Sequence, residues 1–386
     1  MNDDSDIQVT RAEIERHEKQ LLAPYAMHSA DSQGRQHDEP EHQYRTCFQR
    51  DRDRVIHSGA FRRLKDKTQV FANDADDHFR TRLTHTMEVA QISRTIARAL
   101  RLNEDLAEAV ALVHDLGHTP FGHAGEDALC ECLNEQGGFN HNLQSLRVVD
   151  AIEDRYPDYV GLNLTYEVRE GIIKHETDYD IPQPDQFDPR TRATLEGQLV
   201  NLADEIAYNA HDADDGYFSG LINWQALCEV AIVAELYRGS LERYPDLSER
   251  KRHYYLIRAL INWFVTDLVT ASHERLRAAQ VKTLADVRRH RENLIAFSET
   301  GRKRARELKD FLLANLYRHP RLIETNRRAR EQVSDLYHFY SSRPEVLPEK
   351  YVARLKVEPV WAVVRDYVAG MTDRFAVTQH RELRDR

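Results

Sequence analysis

Cysteine is scarce: four in 386 residues, and Cys47, Cys130, Cys132 and Cys228 include no CxxC pair. That excludes a disulfide framework and a thiolate metal centre. Cys130 and Cys132 stand two apart on a predicted helix and do not share a face, so all four read as reduced packing residues. Proline is also sparse, with 12 residues that fall mostly between periodic segments, at Pro157, in "IPQPDQFDP" (181–189), and at Pro344 and Pro348. Alternating strand-like runs bounded by turns are almost absent, which leaves an all-α architecture. Long apolar runs are missing as well. The longest, "HYYLIRALINWFVTDLV" (253–269), is broken by Arg258, Asn262 and Asp267; it falls short of the ~20 apolar residues of a membrane span and reads as a buried helix. The acidic start "MNDDSDIQVT" carries no basic-then-apolar leader, so cytoplasm is the expected compartment and no membrane partner is expected.

A net charge of -10 excludes a surface built throughout for nucleic acid. Basic residues are nevertheless concentrated: Arg50, Arg52, Arg54, Arg62, Arg63, Lys65 and Lys67 lie within 49–69, and "GRKRAREL" (301–308) is similar. Such runs are either anion-binding segments or solvated helix faces.

Helical periodicity recurs along the chain. "TRLTHTMEVAQISRTIARAL" (81–100) spaces Leu83, Met87, Ile92, Ile96 and Leu100 at near-helical intervals. In "NEDLAEAVALVHDLG" (103–117), Asn103 is the N-cap, acids fill the first turn and Gly117 follows the end. Further helices are expected over 140–156, 164–176 and 193–212. Residues 1–44 read as a helix and a mobile polar stretch (28–43), 45–220 as the functional core, and 221–386 as a helical accessory region packed on it.

Three helices each turn a metal-capable side chain inward. His85 lies four residues before Val89, His114 follows Val110 by four, and Asp204 follows Val200 by four; Asp115 joins His114 at a helix end. Two imidazoles and two carboxylates suit a borderline or hard divalent cation, Mg²⁺, Mn²⁺ or another first-row transition metal. Each residue alone is more simply a satisfied core residue or a cap; the order His, His-Asp, Asp on successive helices is the informative part.

That order, with "HDLGHTPFGHAGE" (114–126), "GGFNHNLQSLRVV", "GLNLTYEVREGIIKH" and "ADEIAYNAHDADDG", resembles the deoxyguanosine triphosphate triphosphohydrolase family of the HD phosphohydrolases, strongly over 45–220. "VVRDYVAGMTDRFAV" (363–377) is similar to that family's accessory region. The resemblance implies an HD-type helical core and a divalent ion on His85, His114, Asp115 and Asp204. It implies His123 and Glu126 as a catalytic pair, with His118 and His141 as further active-site histidines. Gln69, Arg82, Tyr208 and Asp212 would be substrate contacts: Arg82 on a phosphate, Gln69 on the 3′-hydroxyl, Tyr208 flat against the sugar and Asp212 on its hydroxyl. The implied reaction converts a deoxynucleoside triphosphate and water to deoxynucleoside and inorganic triphosphate, in a tetramer or hexamer. A second, allosteric dNTP and single-stranded DNA are candidate partners. The competing readings are a different HD phosphohydrolase, such as a nucleoside monophosphatase, and a nucleotide- or single-strand-binding regulator with low turnover.

Overall fold

The computed structural model describes residues 9–71, 79–175 and 187–384. The acidic start and most of the 181–189 proline cluster lie outside the described residues. Within them the chain is helical, with no strand and two isolated bridges, Arg35 to Thr165 and Thr68 to Thr81.

Local chemistry sets the helix starts. Thr81 and Thr84 cap reciprocally at the head of Arg82–Ala99. The Asn103 side chain accepts from the Leu106 N–H, and Glu104 and Asp105 occupy the first turn of Glu104–Val113. Thr194 opens Leu195–Phe218, which runs past the expected end at 212 because Ala213 and Gly216 still face the core. The segment expected over 140–156 forms His141–Arg147, continues as a π-helical turn, Val148–Ile152, and then stops. Tyr166–Ile173 falls within its expected range.

From Leu106 onward Glu104–Val113 is apolar except at Glu108, which pairs with Arg52 at 3.5 Å, and it forms the axis of the core. Arg82–Ala99, Cys47–Ile56, Tyr166–Ile173 and Leu195–Phe218 pack around it. Gly171 permits one of these contacts, since a Cβ there would stand 2.7 Å from Val110 Cγ2.

The hydrophobic packing does not divide at 220. Glu249–Ala279, which contains the 253–269 segment, contributes Leu256, Leu260, Phe264 and Leu268 to the main core. It buries one face only, Tyr254 on the other being exposed, so the expected buried helix is amphipathic. A second cluster joins Ala128, Leu129, Leu133 and Phe139 to Val333, Leu336, Val363, Val364 and Val368. The helix His123–Cys132 therefore rests on the C-terminal region rather than on the main core.

Two expectations about polar segments need correction. The 28–43 stretch, read as mobile, is tied down: the His37 N–H donates to Asn163 Oδ1 at 3.0 Å, and Arg35 pairs with Glu39 at 3.1 Å. The first part of the basic run 49–69 is neutralised, while Arg62 and Lys65 stay exposed. Arg50 and Arg54 both pair with Glu39, at 2.9 and 2.6 Å, Arg52 pairs with Asp105 at 3.1 Å, and Lys67 is buried. In 301–308, Arg304 is spent on Glu235 at 2.6 Å and on the Trp263 ring, while Arg302, Lys303 and Arg306 stay exposed.

Candidate active site

The helix Glu104–Val113 ends one residue before His114, so His114 to Gly117 form a turn rather than a last helical coil. The His114 carbonyl accepts from Ser145 Oγ at 2.8 Å, and Ser145 Oγ accepts from the Gly117 N–H at 2.8 Å. Gly117 is required there, because a Cβ would stand 2.2 Å from the Ser145 nitrogen and 2.3 Å from the His141 carbonyl oxygen.

His85, His114 and Asp204 converge, with one ligand atom from each within 4.8 Å of the others. His85 Nε2 stands 2.8 Å and His114 Nε2 3.7 Å from Asp204 Oδ1. Asp115 Oδ1 is 3.3 Å from His114 Nε2 and 3.2 Å from His118 Nε2, while its Oδ2 accepts from Arg82 Nη1 at 3.0 Å. All of these residues are buried.

The donor set fits a divalent cation. His114 Nδ1 lies 2.6 Å from the Ala111 carbonyl, so it carries the proton and leaves Nε2 as a lone pair. That Nε2 is buried and has no hydrogen-bond partner. Burial pushes the His114 pKa down, favouring the neutral form that ligates. Burial alone would raise Asp204, but the His175 and His85 hydrogen bonds outweigh it and hold the carboxyl well below the usual range. Asp115 behaves likewise, with His114, Arg82 and His118 overcoming its burial. His85 is the exception: against its burial, Asp204 draws its pKa up, and a cation between the two would compete with that proton.

A second cluster adjoins the first through His118. His118 and His141 stack with centroids 4.0 Å apart, and with Glu126 they form another group of convergent donors. Glu126 Oε1 accepts from the His141 backbone N–H at 2.9 Å and faces His141 Nδ1 at 3.0 Å. His123 Nδ1 is 3.5 Å from Glu126 Oε2, and its side chain is 76% exposed. Glu126 is thus shared, and its tighter partner is His141 rather than the His123 expected from spacing. Burial opposes ionisation of Glu126, yet His141 and His123 hold its pKa well below the usual carboxylate range.

Of the expected substrate contacts, Arg82 is in the site, with Nε buried and unpartnered. A Cβ on Gly122 would lie 3.2 Å from Arg82 Nη2 and 3.6 Å from the carbonyl oxygens of Thr68 and Gln69, which brings the Gln69 backbone to the same place. Gln69 Oε1 is buried without a partner. Asp212 accepts from the Tyr317 hydroxyl through Oδ2 and keeps Oδ1 buried and unpartnered; burial pushes its pKa up to about 7. Tyr208 is half-buried on the Asp204 helix.

Several residues escaped sequence reasoning. His175, buried two residues beyond the helix Tyr166–Ile173, places Nε2 3.5 Å from Asp204 Oδ2. His211 Nε2 is 3.0 Å from Glu88 Oε2, and its ring is 5.8 Å from that of His85. Spacing carried a signal for this pair, since Glu88 follows His85 by three and His211 follows Asp204 by seven. Tyr317 gave none, because it reaches Asp212 across 105 residues of chain.

The HD domain family matches residues 82–209, and the phosphohydrolase-associated domain matches 295–382. A deoxyguanosinetriphosphate triphosphohydrolase-like protein of Bordetella pertussis is 50% identical over 370 residues, covering 94% of this chain and 96% of that protein. Proteins of the same description from Geobacter metallireducens and Ralstonia nicotianae are 48% and 49% identical, over 95% and 99% of this chain and 96% and 98% of theirs. With two HD-type histidines and an aspartate converging at its centre and relatives aligned along nearly its whole length, the chain belongs to the deoxyguanosinetriphosphate triphosphohydrolase-like family of HD phosphohydrolases.

Proposed function

We propose that this protein hydrolyses deoxynucleoside triphosphates, with water attacking the α-phosphorus to give the deoxynucleoside and inorganic triphosphate. One observation carries the reading: a metal-competent cluster and an imidazole–carboxylate cluster touch, through Asp115 and His118 at 3.2 Å. Relatives named for dGTP triphosphohydrolase likeness support it.

His85, His114, Asp115 and Asp204 would hold a divalent ion, Mg²⁺, Mn²⁺ or another first-row metal, which when bound supplies positive charge for the phosphate oxygens and a more acidic water. Arg82, anchored by Asp115, offers its unpartnered Nε to a phosphate oxygen. His123, exposed beside Glu126, delivers the proton to the 5′-oxygen as the phosphorus–oxygen bond breaks. His118 and His141 fix Glu126 from the buried side. Gln69 and Asp212, each with a buried unpartnered oxygen, are the candidates for sugar hydroxyls, and Tyr208 for the ribose face.

The test is to incubate the protein with each dNTP singly and in mixture, with Mg²⁺ or Mn²⁺, and to identify products by chromatography. Inorganic triphosphate and deoxynucleoside are expected. Orthophosphate would make it a different HD phosphohydrolase. No hydrolysis together with salt-sensitive binding of single-stranded DNA would make it a regulator. Mixtures active where single nucleotides fail would add an allosteric dNTP, and light scattering reads whether the assembly is the tetramer or hexamer proposed. No helix among the described residues is long and apolar enough to cross a membrane. The proposed place of action, the cytoplasm, follows from the proposed dNTP substrate.

A further inference from the structure

Two buried ionisable groups near the site have no part in the chemistry above: Lys67 and Asp373, which lie 306 positions apart in the sequence. We propose that they are positioning residues, a clasp by which the C-terminal region holds the segments 67–69 and 118–122 together and so sets Gln69 and His123 against the metal cluster. The kinetic part of this proposal rests on the hydrolase reading; the structural part does not.

Lys67 is 2% exposed, and its ammonium donates to the backbone carbonyls of His118 and of Ala369, the latter at 3.0 Å. Burying an ammonium is unfavourable, and burial indeed pulls the Lys67 pKa down to about 7. A methionine of similar length would avoid that cost, so what the amine contributes is the pair of bonds joining the His118 turn to the C-terminal region. The Lys67 carbonyl in turn accepts from the Arg82 N–H at 3.1 Å, which ties the same residue to the head of the His85 helix.

Asp373 completes the clasp. Its Oδ2 accepts from the Thr68 N–H at 2.7 Å and from the Thr68 hydroxyl, and its Oδ1 accepts from the Phe121 N–H at 2.9 Å. Phe121 and Gly122 have φ of 62° and 58°, in the left-handed region. A bulky side chain there is strained and persists only where its surroundings fix it; the bond to Asp373 is such a fixture, two residues before His123. The helix that begins at His123 sends Ala128 and Leu129 into the apolar cluster with Val333, Leu336, Val363 and Val364. The Gly122–His123 corner thus stands on C-terminal residues on both its polar and its apolar sides, while the metal cluster stands on the main core.

The test uses the full-length protein and the variants Asp373→Ala, Asp373→Asn, Lys67→Met and Thr68→Val. The readouts are amide exchange across 67–71 and 119–125, metal content, melting temperature, and kcat and KM for a hydrolysed dNTP. Asp373→Ala is expected to raise exchange at the Thr68 and Phe121 amides by about tenfold or more, the scale of a lost hydrogen bond to a charged group. Metal content should stay unchanged, with kcat about tenfold lower and KM within about threefold, the pattern of lost transition-state alignment. Asp373→Asn, whose amide keeps one acceptor, falls between, and Lys67→Met loosens 118–122 without loss of metal. Wild-type exchange in Asp373→Ala, or a kcat loss matched by the fraction unfolded, overturns the proposal. Should Asp373→Ala not fold, Thr68→Val removes a single donor to the same carboxylate, and wild-type exchange at Phe121 in that variant is equally fatal. A wild-type protein that hydrolyses no dNTP sinks the hydrolase reading alone, because exchange and metal content still decide the clasp.

Discussion

His114 combines the features a ligand needs in one side chain: Nδ1 committed to the Ala111 carbonyl, Nε2 bare, and burial that favours the neutral ring. His114→Ala should therefore abolish both bound metal, measured by elemental analysis, and turnover; metal-free protein at normal turnover would refute the assignment. His123 is placed differently, exposed and 3.5 Å from Glu126. Removing it leaves the buried donors in place, so His123→Ala should keep its metal and lose on the order of 10²-fold in turnover, the scale of a general acid or base. Loss of metal in that variant would assign His123 to the other cluster. At this scale the sequence exposed residue types and spacing. It could not show that Glu126 bonds His141 more closely than His123, because the 14 residues between Glu126 and His141 fold back through a turn whose path no periodicity encodes.

Among elements, a close approach in the site lies between the turn His114 to Gly117 and the helix His141–Arg147. Gly117 sits against the Ser145 nitrogen and the His141 carbonyl, so an added methyl meets backbone rather than a yielding side chain. Gly117→Ala should destabilise the fold by about 3 kcal/mol, the upper range for overpacking, and lower turnover in the fraction that remains folded by displacing His141. Denaturant titration with an activity assay checks both, and wild-type stability would mean the helix can slide. Helix existence was legible from capping residues and apolar spacing, as at Thr81 and Asn103. Helix ends were less so. Leu195–Phe218 outruns its expected end, and the expected 140–156 helix breaks into a π-turn, because core contacts made by distant residues decide where helical geometry stops being favourable.

Across the whole molecule, Glu196 joins three parts of the chain. Its Oε1 accepts from the N–H groups of Met27 and Asn103, each at 3.0 Å, from the first residue pair after a helix N-cap deep in the core. Burial pushes its carboxyl up from 4.5 to about 7. The folded state then binds the proton more tightly than the unfolded chain, so this contribution to stability is full below about 4.5 and is lost as pH rises through about 7. Glu196→Gln keeps an acceptor and cannot ionise. Its stability relative to wild type should rise by about 3 kcal/mol between acidic and mildly alkaline pH, the value of such a shift. Parallel stability–pH curves for the two proteins would show that Glu196 ionises normally. At the same scale, helices from both sides of the expected 221 boundary share the main core, and the His123 helix seats on residues beyond 320.

By itself the sequence determined the helical class, the caps, and the inward turn of His85, His114 and Asp204, because these follow from side-chain periodicity and residue chemistry within a turn or two of chain. Only the tertiary structure decided which carboxylate each histidine faces, that His175 approaches Asp204, that Arg50, Arg52 and Arg54 are neutralised by Glu39 and Asp105, and that Asp373 grips the Phe121 amide. Those pairings are made in space between residues far apart in sequence, and local chemistry is the same whether or not they form.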